Sequence, residues 1–309
     1  MEHDLLKTEA RAAYQVAGSC VAPDTIVRSV DLQKVIMLPT MPGIKSVCFA
    51  RRIIGFHETF APVNSYKPGN KTVSVVWHEG IAGRLGEEIA STYLMALNYD
   101  RDFKHIIYFM DNCSAQNKNW KLYTAMLDIV NSNKISAESI TFSYLETGHT
   151  FMSADSIHAE VKKRIRAKKN IYDFTDFVDS IRTGKIDVVL PKANDFKNLE
   201  GKQSQPKLKS RPCLLPEIRE VQFIRGKSTM FIKLRHSDRE FTEFDFIQKK
   251  FKPGAMNFQS LRSTDRGIPE SKKEDMSKLV PLMPAHRHGF WERLSTSNLV
   301  ADLIDNENY

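Results

Sequence analysis

A chain of 309 residues with 41% hydrophobic content is long enough to bury a substantial core, as one large domain or two smaller ones. Its formal charge of +8 and pI near 9.2 suit a polyanionic partner, because neutralised phosphates release counterions and need no base readout. No apolar run approaches the roughly 20 residues of a membrane span, and Met1-Glu-His-Asp-Leu5 lacks the basic-then-apolar layout of a signal, so a membrane or secreted protein is not expected.

Residues 3 to 18 space Leu5, Leu6, Ala10, Ala13 and Val16 for one face of a helix. Three strand segments follow: Thr25 to Leu38, stopped by Pro39, then Ser46 to Val63, then Lys71 to His78 after the turn sequence Lys67-Pro-Gly-Asn70. Short connections make an antiparallel meander their simplest arrangement. The pattern then alternates. A helix is predicted over Gly83 to Asn98, a strand over His105 to Met110, and a helix from about Gln116 to Asn131 with the stripe Trp120, Tyr123, Leu127 and Val130. A strand over Ser139 to Leu145 and a helix from Ser153 to about Lys169, with Ser153 as N-cap, complete the series. The order β-β-β-α-β-α-β-α is that of a ribonuclease H-like α/β fold with a mixed sheet, in which right-handed crossovers set the Asp31 strand beside the Asp111 strand.

Asp31 interrupts an apolar strand and Asp111 ends another, in His105-Ile-Ile-Tyr-Phe-Met-Asp-Asn-Cys113. Carboxylates are rarely placed in such surroundings unless something cationic meets them. Asp155 follows the next strand where a helix begins, and three acids on converging elements predict a divalent-metal site. Phosphodiester cleavage needs an oxygen nucleophile activated and a leaving oxygen stabilised, and two Mg²⁺ ions about 4 Å apart do both. Asp31 and Asp111 are assigned to the bridging centre and Asp155 to the third ligand, with Mg²⁺ or Mn²⁺ as the cofactor. Glu160 competes for the third place, but five residues from Asp155 it sits about 500° around the helix, so the two do not face one metal pair. Glu87 or Glu88 can add a fourth acid, although both also read as surface acids.

Plainer readings accompany each of these. Asp31 fits an outward-facing strand position, and Asp111-Asn112 fits turn and capping chemistry. His149 and His158 flank Asp155 and read as structural histidines; Gln116, Asn117 and Asn119 either orient the site or cap the helix. Cys20, Cys48, Cys113 and Cys213 are scattered with no Cys-x-x-Cys pair, which fits a reducing nuclear or cytoplasmic setting and argues against a closed zinc site. No Gly-x-Ser-x-Gly elbow or Gly-x-x-x-x-Gly-Lys loop is present, so neither a hydrolase triad nor a P-loop ATPase is supported.

Basic residues cluster after the third acid. Lys162-Lys-Arg-Ile-Arg-Ala-Lys-Lys169 holds six in eight positions, and Lys197 to Arg211 carries five against Glu200. Both segments suit nucleic-acid contact, and equally a solvated helix face and a flexible linker. Beyond them, Tyr172 to Ile181 reads as a helix, Val221 to Leu234 as a hairpin turning at Gly226-Lys-Ser228, and Pro253-Gly254 as a turn. The expected organisation is a ribonuclease H-like domain over residues 1–190, a basic linker over 191–219 and a small C-terminal α+β accessory region over 220–309.

Four segments carry a family resemblance. Asp31-Leu-Gln-Lys34, Trp77-His-Glu79 with the helix Gly86-Glu-Glu-Ile-Ala-Ser91, Asp111-Asn-Cys-Ser-Ala-Gln-Asn-Lys-Asn119 and Gly148-His-Thr-Phe-Met-Ser-Ala-Asp155 resemble the motif series of transposon-derived proteins of animal genomes, similar to DDE-type transposases and integrases. Arg266-Gly-Ile-Pro-Glu-Ser-Lys-Lys273 and Pro284-Ala-His-Arg-His-Gly-Phe-Trp291 resemble that family's C-terminal part, so the similarity spans roughly residues 1 to 295. The resemblance implies metal-dependent cleavage or strand transfer of DNA, with oligomers possible. The chain starts close to the first acid, without the Cys/His-rich region often found upstream in the family, so a missing DNA-targeting module is also implied. The alternative is a catalytically silent, domesticated remnant that only binds DNA or protein.

Overall fold

The computed structural model describes residues 2–19, 22–63, 70–112, 117–146, 151–255 and 257–297. Helix α1 (Glu2–Ser19) leads into strand β1 (Thr25–Leu32), the short β2 (Ile36–Leu38), helix α2 (Lys45–Phe49), and strands β3 (Ile53–Pro62) and β4 (Thr72–His78). Helices then alternate with strands: α3 (Gly86–Leu97), β5 (His105–Asp111), α4 (Trp120–Asn131), β6 (Ser139–Leu145) and α5 (Ser153–Lys168). After α6 (Phe174–Ile181) come β7 (Ile186–Val189), α7 (Gln205–Lys209), β8 (Glu220–Ile224), β9 (Met230–Lys233) and β10 (Thr242–Phe244). Strand β11 (Ile268–Pro269), helices α8 (Glu270–Leu279) and α9 (His288–Arg293) and strand β12 (Thr296–Ser297) follow.

The result is an α/β architecture around one large mixed sheet of order β10-β9-β8-β6-β5-β1-β3-β4-β7, with β2 paired to β3. Strands β1, β5 and β6 are mutually parallel, whereas β3 runs antiparallel to both β1 and β4. Strand β4 is buried at every position and β3 at all but Pro62, as expected of central strands covered on both faces. The largest apolar cluster gathers Val30, Phe60, Tyr108 and Met110 from the sheet with Tyr93 of α3 and Leu122 and Met126 of α4.

Two of the expected strands differ in extent. The segment from Thr25 breaks after Leu32, and β2 pairs separately, with Ile36 opposite Gly55. The segment from Ser46 opens as helix α2, of which only Val47 is buried; one inward side chain in five suits a helical turn and not an alternating strand. Residues 67–69 of the expected turn lie outside the described residues. Helix α4 starts at Trp120, capped by the Asn119 side chain, which accepts from Leu122 N at 2.8 Å.

Two buried ion pairs meet the sheet. Arg28 on β1 meets Asp100 at 2.6 Å, Tyr108 donates to the same carboxylate at 2.8 Å, and Arg28 also donates to the Phe60 and Lys71 carbonyls. Lys272 of α8 meets Glu79 at 2.8 Å, and Glu79 in turn accepts from Ile54 N at 2.9 Å, which ties α8 to the sheet. The residues after β7 dock on the same core through Phe196, Leu199, Leu208 and Ile218, and β8 joins β6 antiparallel with Phe142 opposite Val221. At the expected Pro253-Gly254 turn, Gly254 takes φ +86° and a Cβ there would lie 2.3 Å from the Asn131 carbonyl oxygen, so only glycine fits this approach to α4. No helix among the described residues is long and apolar enough to cross a membrane.

Candidate metal centre

Strands β1 and β5 run in the same direction with Val30 opposite Met110, so Asp31 and Asp111 are the next residues of neighbouring strands at the same end of the sheet. Val30 and Met110 belong to the cluster that also holds α3 and α4. Side chains alternate along a strand, which turns both aspartates toward the other face. Asp31 retains 24% of its side-chain exposure.

Helix α5 covers that face. Its first turn is anchored where the Ala154 amide donates to Ser29 Oγ on β1 at 2.9 Å. One turn on, His158 is buried with Nδ1 3.2 Å from Asp31 Oδ2 and Nε2 2.9 Å from Thr59 Oγ1 on β3. Ser153 is the first helical residue and not the N-cap; Met152 takes that place, and Asp155 Oδ2 accepts from the Met152 amide at 2.7 Å. An acid three residues into a helix commonly reaches back in this way, and here the bond holds the Asp155 carboxylate at the mouth of the site. One ligand atom each from Asp31, Asp155 and His158 lie within 4.8 Å of one another.

Asp111 stands outside that trio, held from the other side. Asn117 Nδ2 donates to its Oδ1 at 2.5 Å, and Asn117 Oδ1 accepts from the Tyr93 hydroxyl at 3.2 Å. Both Asp31 and Asp111 nevertheless act on one group, Glu58, whose burial and the two neighbouring negative charges push its carboxyl well above the usual range. Glu58 is 1% exposed, and its Oε2 has no hydrogen-bond partner among the described residues. It was missed at the sequence level, although a carboxyl within the apolar run Ile53 to Phe60 is the same signal that marks Asp31.

The remaining candidates are committed elsewhere. Glu160 is exposed and pairs with Arg164. Glu88 meets Arg262 at 3.0 Å and caps α3 through Leu85 N, and Glu87 meets Lys121 at 3.0 Å and accepts from Leu199 N; both are buried, unlike the surface acids they resemble in sequence. Lys118, not singled out in the sequence, is also buried: its Nζ donates to the Pro216 and Ile218 carbonyls and lies 4.4 Å over the Tyr144 ring, and burial lowers its pKa to about 7. Cys20, Cys113, Gln116 and His149 lie outside the described residues. Cys48 and Cys213 are free thiols.

Beneath the trio lies a buried polar chain. Thr59 Oγ1 is also 2.9 Å from His57 Nε2, which has Ser74 Oγ at 2.8 Å, while His57 Nδ1 has Gln33 Oε1 at 2.8 Å. Burial, and secondarily the nearby His158, holds His57 well below the ordinary histidine pKa, so its ring is neutral. Carboxylate oxygens suit Mg²⁺ or Mn²⁺, and an imidazole nitrogen adds affinity for a first-row transition ion.

The sequence profile of a domain of unknown function, DUF7869, matches residues 88–222. That stretch runs from α3 to β8 and includes Asp111, Asp155 and His158 but not Asp31 or Glu58. No curated protein and no solved structure matches the chain.

Proposed function

We propose that this chain is a transposase- or integrase-like protein that cleaves or joins DNA phosphodiesters with Mg²⁺ or Mn²⁺ at Asp31, Asp111 and Asp155. The observation that carries this reading is the placement of Asp31 and Asp111 side by side at the ends of parallel β1 and β5, with Asp155 brought to Asp31 by α5. The strand order β4-β3-β1-β5-β6, with β3 alone antiparallel to its neighbours β1 and β4, supports a ribonuclease H-like arrangement; helices α3, α4 and α5 follow β4, β5 and β6 in turn. Fold-level analogy raises the expectation of catalysis, and the acids make it specific.

Divalent cations bound here would activate an attacking oxygen and stabilise the leaving one. Asp31, Asp111 and Asp155 are the residues that would hold them. Asn117 donates to Asp111 and the amide of Met152 donates to Asp155, which orients both carboxylates.

The surface beside the acids suits a phosphate backbone. Along α5, Lys162 and Arg166 fall within about 20° of Asp155 around the helix axis, on a stripe roughly 16 Å long. Both are exposed. A strand of nucleic acid entering the site would meet this stripe one phosphate after another.

Nicking of a supercoiled plasmid by the full chain tests the reading. Relaxed circles are expected with Mg²⁺ or Mn²⁺, none with EDTA, and Asp111→Asn is expected to lose at least about a hundredfold in rate, as removal of a charge-stabilising group does. Equal nicking by wild type and Asp111→Asn would remove the mechanism. Salt-sensitive DNA binding without any nicking would instead favour the silent remnant.

A further inference from the structure

The buried chain beneath the site has a direction, and that direction decides what His158 does. Gln33 presents Oε1 to His57 Nδ1 at 2.8 Å; a carbonyl oxygen only accepts, so the His57 proton sits on Nδ1. Nε2 of the same ring then offers a single lone pair to two hydroxyls, Ser74 Oγ at 2.8 Å and Thr59 Oγ1 at 2.9 Å, and one of them donates to it. A hydroxyl has one proton to give. With Thr59 as that donor, its proton is spent on His57 and its Oγ1 accepts from His158 Nε2 at 2.9 Å, which puts the single proton of the neutral His158 ring on Nε2. Its Nδ1 therefore turns a bare lone pair toward Asp31 Oδ2, 3.2 Å away.

Two acceptors facing each other at that distance repel, and with His158 95% buried and Asp31 24% exposed water screens the conflict only in part. A cation relieves it. Asp155, from the solvent side, offers a third ligand atom within 4.8 Å of one atom each of Asp31 and His158. We infer that His158 Nδ1 is a direct ligand of a divalent cation shared with Asp31 and Asp155, which makes this half of the site better suited to Mn²⁺ than to Mg²⁺. The arrangement is the usual one for a metal-bound imidazole, whose other ring nitrogen donates to a fixed acceptor, here Thr59 backed by His57. Mg²⁺ favours an all-oxygen octahedron, whereas imidazole nitrogen suits the first-row transition ions. The inference rests on the metal-dependent reading above and adds the ligand and the metal preference.

Electron spin-echo envelope modulation of the full chain loaded with one equivalent of Mn²⁺ tests it without any assay of activity. A ¹⁴N coupling from directly bound imidazole is expected in wild type, kept in His149→Gln and lost in His158→Gln, with Mn²⁺ affinity in the last falling at least about tenfold. Thr59→Val keeps the ring and removes its Nε2 partner; it is expected to retain the coupling and to bind Mn²⁺ about tenfold more weakly, and it serves as well if His158→Gln does not fold. Bound Mn²⁺ with no nitrogen coupling in wild type would overturn the inference and leave the carboxylate site standing. That is the outcome if the Gln33 amide is turned and the chain runs the other way, with His158 Nδ1–H donating to Asp31. A coupling lost in His149→Gln and kept in His158→Gln would overturn it too. Failure of the wild-type chain to bind Mn²⁺ at all would overturn this inference together with the proposed function.

Discussion

The Ala154 amide donates to the Ser29 hydroxyl at 2.9 Å, joining the first turn of α5 to β1 two residues before Asp31 and one residue before Asp155. Through this bond the third acid is positioned by the strand that carries the first. Ser29→Ala leaves a buried helical N–H without its acceptor, which costs about 1–2 kcal/mol. Urea unfolding is expected to show that loss, and Mn²⁺ titration a weaker site. Unchanged metal affinity at reduced stability would show that α5 is placed by other contacts.

Glu58 gives the metal-free protein a pH dependence of definite sign. In the unfolded chain its carboxyl releases a proton near pH 4.5, while in the folded chain burial and the charges of Asp31 and Asp111 keep it protonated far above that. Between the two values the folded state binds more protons, so this group's contribution to stability is complete below pH 4.5 and is lost as pH rises, by at most about 1.4 kcal/mol per unit. Glu58→Gln has no such dependence. Its stability relative to wild type is expected to grow between pH 5 and pH 8 in chelated buffer; a difference that stays constant would mean that Glu58 ionises normally.

The third acid is separable by substitution. Glu160 is engaged with Arg164 on an exposed face, a kind of pair worth about 0.5 kcal/mol, so Glu160→Gln is expected to leave metal affinity and nicking unchanged. Asp155→Asn is expected to reduce both at least about tenfold, the scale of effect known for perturbing a metal shell. The reverse ranking in a Mn²⁺ titration would move the third ligand to Glu160.

The neighbouring positions of Asp31 and Asp111 at one end of the sheet were legible in the sequence. Asp31 and Asp111 stood out because a charge within or at the end of an apolar strand breaks the pattern its neighbours set, and the alternation of strands and helices after His78 placed the β1 and β5 ends together. Asp155 was legible as an acid at a helix start, though Met152 is the cap and Asp155 the side chain that reaches back to it. The role of His158 was not, since a lone histidine on a helix has no signal that separates ligand from core residue; only its position over Thr59 and Asp31 does so. Glu58 was not singled out, although it is a carboxyl in a strand as Asp31 is, because His57 and Thr59 beside it blur the apolar pattern that a charge would break. The hairpin of β8 and β9 was readable from its turn, whereas its partner, β6, is chosen by packing across a sequence gap of about 80 residues, which no local pattern encodes.

Diffraction from crystals soaked in Mn²⁺, measured near the manganese absorption edge, tests the acid centre most directly. The expected result is anomalous density enclosed by the carboxylates of Asp31, Asp111 and Asp155, with Asp31 touching every peak. Saturating Mn²⁺ with no density at Asp31 would contradict it.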